Sequence, residues 1–101
     1  MKFYRYEEMQ YYQIEVKIHL MEFDFIKETP CGYWIKLFFD DKKWVSKTAK
    51  KRFAYPTKEE ALSSFIARKT RQVEILEAQL SNARMALMLG KTEYKKEAAV
   101  C

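Results

Sequence analysis

The stretch from Thr57 to Leu89 constrains this chain most, because it contains neither Pro nor Gly and so nothing in it interrupts a helix. Thr57-Lys58-Glu59-Glu60 opens it with a hydroxyl able to cap free N–H groups and a glutamate three residues on, the capping-box pattern, just after Tyr55-Pro56. At the far end, Gly90 followed by Lys91 is the expected stop, with the charge that suits a helix C-terminus. A helix over 57–89 is about 50 Å long at about 1.5 Å per residue. A strand of a small sheet spans only about 17–20 Å. One small sheet cannot cover such a rod, so its distal half calls for a partner, most simply a second copy of the chain.

The residues ahead of the helix read as strands. Phe3 to Tyr6 is a short aromatic strand ended by Glu7-Glu8. Tyr12, Ile14, Val16, Ile18 and Leu20 alternate with Gln13, Glu15, Lys17 and His19, the period of a half-buried strand. The apolar set then moves to Met21, Phe23 and Phe25, and this change of phase predicts a bulge or bend near Leu20 to Glu22 before the strand runs on to about Glu28. Thr29-Pro30-Cys31-Gly32 is a turn. Tyr33 to Phe39 is a third strand, apolar on both faces and therefore central. Asp40-Asp41-Lys42 supplies the next turn, and Trp44 to Thr48 and Arg52 to Tyr55 are two more short strands about a turn at Ala49 to Lys51. Short connections imply an antiparallel meander. The expected fold class is α+β: about four to five strands in one sheet over 2–55, then the long amphipathic helix over 57–89. With 101 residues, 1–90 forms one domain, and 91–101 is a charged tail expected to be frayed or disordered.

Along the helix, Leu62, Ile66, Lys69, Val73, Leu76, Leu80, Ala83 and Leu87 are spaced alternately four and three apart, a heptad seam holding one lysine. Leu62, Phe65 and Ile66 are expected to lie on the chain's own sheet. Beyond Val73 the apolar set broadens with Ile75, Ala78, Met85, Ala86 and Leu89, which favours packing of helix on helix. Val73, Leu76, Leu80, Ala83 and Leu87 are thus the expected interface of a homo-oligomer, a dimer or higher, while Lys69 either joins Arg68 and Arg71 in a basic cluster or sets the register of the helices.

Charge is unevenly spread. Residues 1–41 carry five basic and eight acidic side chains, 42–56 carry six basic and none acidic, and 57–101 carry eight and six. The net charge of +5 therefore originates in one short stretch, the pattern of a local anion site. That stretch, Lys42 to Tyr55, interleaves its cations with Trp44, Phe53 and Tyr55 and with the hydroxyls of Ser46 and Thr48. Cations and hydroxyls meet phosphate oxygens, and rings offer stacking faces. Trp44, Lys47, Lys50, Lys51, Arg52 and Tyr55 are the candidate ligand-binding residues, joined by Arg68 and Arg71 one turn apart on the helix. If the hairpin folds back beside the helix, the two clusters merge. Strand alternation places Trp44, Ser46 and Thr48 on one face and Val45 and Lys47 on the other, so one ligand cannot meet them all. The plainer account is a lysine-rich edge hairpin that blunts sheet pairing, with Glu74 and Glu77 neutralising the helix cluster.

Catalytic, metal and cofactor chemistry find little support. His19 is the single histidine, with no cysteine pair or carboxylate cluster beside it, so neither a metal site nor a nucleophile with a general base is expected. Two glycines, Gly32 and Gly90, exclude a phosphate-cradling P-loop. No cofactor is implied, and an enzyme is the least favoured class. No apolar run approaches the roughly 18 residues of a membrane helix. Cys31 and Cys101, far apart in a chain without an apolar signal segment, are expected to be free thiols in a cytoplasmic protein.

Trp44 to Lys69 resembles small uncharacterised proteins of tailed bacteriophages, above all in Arg52-Phe53-Ala54-Tyr55-Pro56-Thr57-Lys58-Glu59-Glu60-Ala61-Leu62 and Phe65-Ile66-Ala67-Arg68-Lys69. The likeness covers about a quarter of the chain, carries no catalytic motif and transfers no residue role. It implies a cytoplasmic accessory protein in a bacterial host that inhibits or sequesters a component of host machinery or defence. Three functional readings stand together. The first is an oligomer that binds an acidic partner, either a nucleotide signal or a host protein; the second is a nucleic-acid-binding protein using the same cations. The third is a structural protein whose role is the helix bundle itself.

Overall fold

Four strands in chain order are followed by one long helix in the computed structural model, which describes residues 1–12 and 14–99. They are β1 (Lys2–Tyr11), β2 (Glu15–Glu28), β3 (Gly32–Lys36) and β4 (Lys42–Ser46), with a single 3-10 turn at Phe38–Asp40, and then α1 (Lys58–Ala99). The strands form one antiparallel sheet in the order β1-β2-β3-β4, so the fold is the expected α+β meander with a C-terminal helix. Two compact units divide the chain, Met1–Ala67 and Arg68–Cys101. The first holds the sheet and the opening turns of α1; the second holds the rest of α1.

Cross-strand pairing explains the core of the first unit. Phe3 faces Phe23, Phe25 faces Ile35, and Tyr33 faces Val45, and directly opposed residues share a face of the sheet. Phe3, Phe23, Ile35, Val45 and Ala54 are buried there, flanked by Met21, Phe25, Tyr33, Leu37 and Phe53. Ring pairs tie it together, with Phe3 and Tyr33 centroids 5.1 Å apart and Phe23 and Phe53 5.3 Å apart. Each fully buried aromatic or aliphatic side chain contributes about 1.5–3 kcal/mol.

Several expectations are corrected by this arrangement. β1 does not end at Glu7-Glu8; it runs to Tyr11, paired throughout with β2. No bulge interrupts β2 near Leu20 to Glu22, where the register against β1 is continuous, and the shift falls instead between Phe25 and Lys27, against β3. The change of apolar phase at Leu20 marks a change in which face is apolar: Met21, Phe23 and Phe25 look into the core, while Val16 and Ile18 lie on the other face. These last two are more than half exposed, and β3 pairs only with Asp24 to Glu28, leaving the remainder of β2 in a two-stranded ribbon with β1. Of the alternating apolar residues Tyr12, Ile14, Val16 and Ile18 are exposed and only Leu20 is half-buried. Gln13, one of the alternating polar positions, lies outside the described residues, and Tyr12 and Ile14 are turn residues. β3 stops at Lys36, and Phe39 sits in a turn with φ 58°, 98 % exposed. Arg52 to Tyr55 is not a strand. Only Tyr55 bridges the sheet, exchanging two backbone hydrogen bonds of 2.7 and 2.9 Å with Tyr4, because Phe53 and Ala54 turn onto the core instead.

At the head of α1, Thr57 caps the helix as its sequence predicts. Its Oγ1 accepts from the Glu60 backbone N–H at 3.2 Å and donates to the Glu60 carboxylate at 3.1 Å. Ala61 and Phe65 form the buried face of the first turns. Leu62 and Ile66, expected beside Phe65, are instead 36 % and 57 % exposed, so the buried stripe runs along 61 and 65 and leaves out these two seam positions. Gly90 does not stop the helix, which continues to Ala99. A stop of the expected kind needs a left-handed glycine, and no glycine here has positive φ. Lys91 to Ala99 contains no proline, the Thr92 hydroxyl donates to the Met88 carbonyl at 3.0 Å, and Glu93 pairs with Lys96 at 3.6 Å. The tail expected to be frayed is helical to Ala99, while Val100 and Cys101, with the free-thiol expectation for Cys101, lie outside the described residues.

Candidate functional site

The basic stretch is one strand followed by a loop. On β4, alternation sends Val45 into the core and Trp44 to the opposite face, opposed to Trp34 of β3. Gly32 makes room for Trp44: a Cβ there would lie 2.6 Å from two ring carbons of Trp44 and would also collide with the Val45 carbonyl. The Trp44 indole N–H donates to Thr29 Oγ1 at 3.2 Å, so the turn between β2 and β3 holds the ring. Its outer face is open, at 41 % exposure. Thr29 and Gly32, turn formers by sequence, are thus also the support of Trp44. The one signal available was the pairing of a turn glycine with a neighbouring aromatic strand.

Lys47 is held from both ends. Its backbone N–H donates to the Cys31 carbonyl at 3.0 Å, and its ammonium pairs with Glu28 Oε2 at 2.6 Å while lying 5.2 Å from the centroid of Tyr33. The hydrogen bond to Glu28 raises its pKa above the ordinary 10.5, against a smaller opposing effect of desolvation. Lys47 is consequently engaged by the chain's own groups at the surface.

Beyond Ser46 the chain turns, because the Ser46 hydroxyl accepts from the N–H groups of Thr48 and Ala49 at 3.2 and 3.1 Å. Arg52 Nε donates to the Ala49 carbonyl at 2.9 Å, and its guanidinium lies 5.6 Å from the Tyr55 centroid. The Tyr55 hydroxyl donates to the Lys50 carbonyl at 3.4 Å. Lys50 and Lys51 are thereby presented on an exposed loop closed by Arg52 and Tyr55. Phe53 anchors the loop to the sheet: Arg5 and Lys43 each lie 4.7 Å from its ring centroid, and Arg5 Nη1 donates to its carbonyl at 2.8 Å. Among the described residues, Lys42, Lys43, Lys50, Lys51 and Arg52 form no ion pair, and Lys47 alone of this stretch has a carboxylate partner.

Trp44, Lys47, Lys50, Lys51, Arg52 and Tyr55 all belong to the first unit. Arg68 and Arg71 belong to the second, where Arg71 approaches Glu74 at 3.9 Å, one turn on. In that unit every residue from Thr70 to Ala99 is exposed. Val73, Leu76, Leu80 and Leu87 stand between 50 and 59 % exposed, with Ala83 exposed on the same seam, and Ile75, Met85, Met88 and Leu89 add apolar surface on other faces. No helix among the described residues is long and apolar enough to cross a membrane. Comparison with known protein families, with curated proteins and with solved structures finds no match to this chain.

Proposed function

We propose that this is a non-enzymatic accessory protein of phage type that acts as a homo-oligomer in the cytoplasm of a bacterial host. In this reading it binds an acidic partner, a nucleotide signal or an acidic face of a host defence or regulatory protein, and sequesters or inhibits it. The observation that supports this is that Lys42, Lys43, Lys50, Lys51 and Arg52 fall within eleven residues, on one strand and the loop after it, with no carboxylate in that segment. Like charges held close repel one another, and an anionic partner relieves that repulsion while gaining charge-assisted hydrogen bonds. Tyr55, behind Arg52, offers aromatic surface beside that cation, while Trp44 presents its open ring on the face of β4 opposite Lys43. The experiment is the triple charge reversal Lys50→Glu, Lys51→Glu, Arg52→Glu, compared with the wild type for what each retains from a bacterial lysate. Loss of an acidic partner is expected. Retention of every interaction would sink the reading.

The run Lys50-Lys51-Arg52 also suits a phosphate backbone, which supports nucleic acid as the second reading. That reading predicts binding to a single-stranded oligonucleotide that weakens steeply with salt, by about 0.7 in the log–log slope per phosphate neutralised. A compact nucleotide or protein partner depends less on salt and more on single substitutions such as Trp44→Ala.

A further inference from the structure

With α1 continuing past Gly90, the alternate four and three spacing that runs through Leu80, Ala83 and Leu87 extends to Gly90 and Tyr94. The seam of the second unit is then Lys69, Val73, Leu76, Leu80, Ala83, Leu87, Gly90 and Tyr94. Its large and small residues do not alternate at random. We propose that this seam pairs antiparallel with the same seam of a second copy, centred between Ser81 and Asn82, with Glu77 of each copy meeting Arg84 of the other. The proposal rests on the self-association in the reading above and adds the orientation and register of the pair.

Size and charge select this arrangement. In the stated register Leu80 faces the partner's Ala83, Val73 faces the partner's Gly90, and Leu76 faces the partner's Leu87, so each small residue receives a larger one. Lys69 falls opposite the partner's Tyr94, a cation beside an aromatic ring. A parallel pair in register would instead set Ala83 on Ala83 and Gly90 on Gly90, leaving voids, and would put two lysines at position 69 in one layer. Flanking positions decide likewise. Glu77 and Arg84 form no ion pair within the chain among the described residues, and the residues three and four positions from each along α1 include no opposite charge. Antiparallel pairing joins them twice by symmetry. Sliding the partner by one heptad in either direction brings Glu77 onto Glu77 or Arg84 onto Arg84. Parallel pairing sets Glu77 and Arg84 against Gln72 and Gln79, which neither attract nor repel by charge. The exposure of every residue from Thr70 to Ala99 leaves the seam from Val73 to Tyr94 available, with Lys69 half-buried at its head.

Disulfide trapping tests this on the full chain carrying Cys31→Ser and Cys101→Ser. Leu76→Cys and Leu87→Cys are prepared as separate single variants, oxidised alone and as a mixture, and read by non-reducing electrophoresis beside the native mass of the parent. The expected result is a dimeric or larger parent and a cross-link in the mixture but in neither variant alone, since the two copies of position 76 are about 16 Å apart along the axis in this register. Cross-linking of either variant alone overturns the antiparallel register, as does the absence of any cross-link in an associated protein; both leave self-association standing. A monomeric parent overturns self-association itself. Glu77→Lys, an exposed change that leaves the seam intact, is expected to weaken association several-fold, and adding Arg84→Glu to restore it. Failure of the double variant to recover would count against the pairing of these two residues.

Discussion

Gly32 shows how one missing Cβ positions an aromatic ring. Gly32→Ala would force the Trp44 ring and the Val45 carbonyl to move, and we predict a loss of about 1–3 kcal/mol, read as a lower denaturant midpoint. At Lys47 the sign of the pH dependence follows from a raised pKa. The contribution of its pair with Glu28 is fully present below the ordinary 10.5 and is lost as pH rises through the higher folded value. Thermal unfolding followed into the alkaline range should therefore show a fall in stability that Glu28→Gln removes. At this scale the cations were plain in the sequence, but their partners were not. Lys47 and Trp44 look alike as candidates for an external ligand until the register brings Glu28 and Thr29 to them, and register depends on pairing that no local pattern states.

Among the elements, α1 was legible where the signals are local. The Thr57 cap involves residues three apart, and Thr57→Ala should cost about 1 kcal/mol. The end of the helix was not legible, because a glycine stops a helix only if the backbone turns left-handed there. Gly90→Ala separates the two cases by circular dichroism: in a continuous helix it should raise helical content, whereas at a left-handed stop it should lower it. In the sheet, alternation from Tyr12 to Leu20 located β2 but not its burial. Period two reports which side chains share a face, and whether that face is covered depends on what packs onto it, which the alternation does not state.

On the scale of the whole molecule, an uncovered helix seam and a loop of cations without carboxylate partners are the two features the proposed function uses. Leu76→Asp with Leu80→Asp places charges in the middle of the seam, and sedimentation should show the mass fall to that of one chain. An unchanged mass would remove the seam from the interface. The most direct measurement is native mass spectrometry of the full chain purified from a bacterial host, beside the variant with Lys50, Lys51 and Arg52 reversed in charge. The account predicts an even-numbered multimer for both proteins, with an acidic partner retained by the wild type and lost from the variant. A bare monomer in both would contradict it.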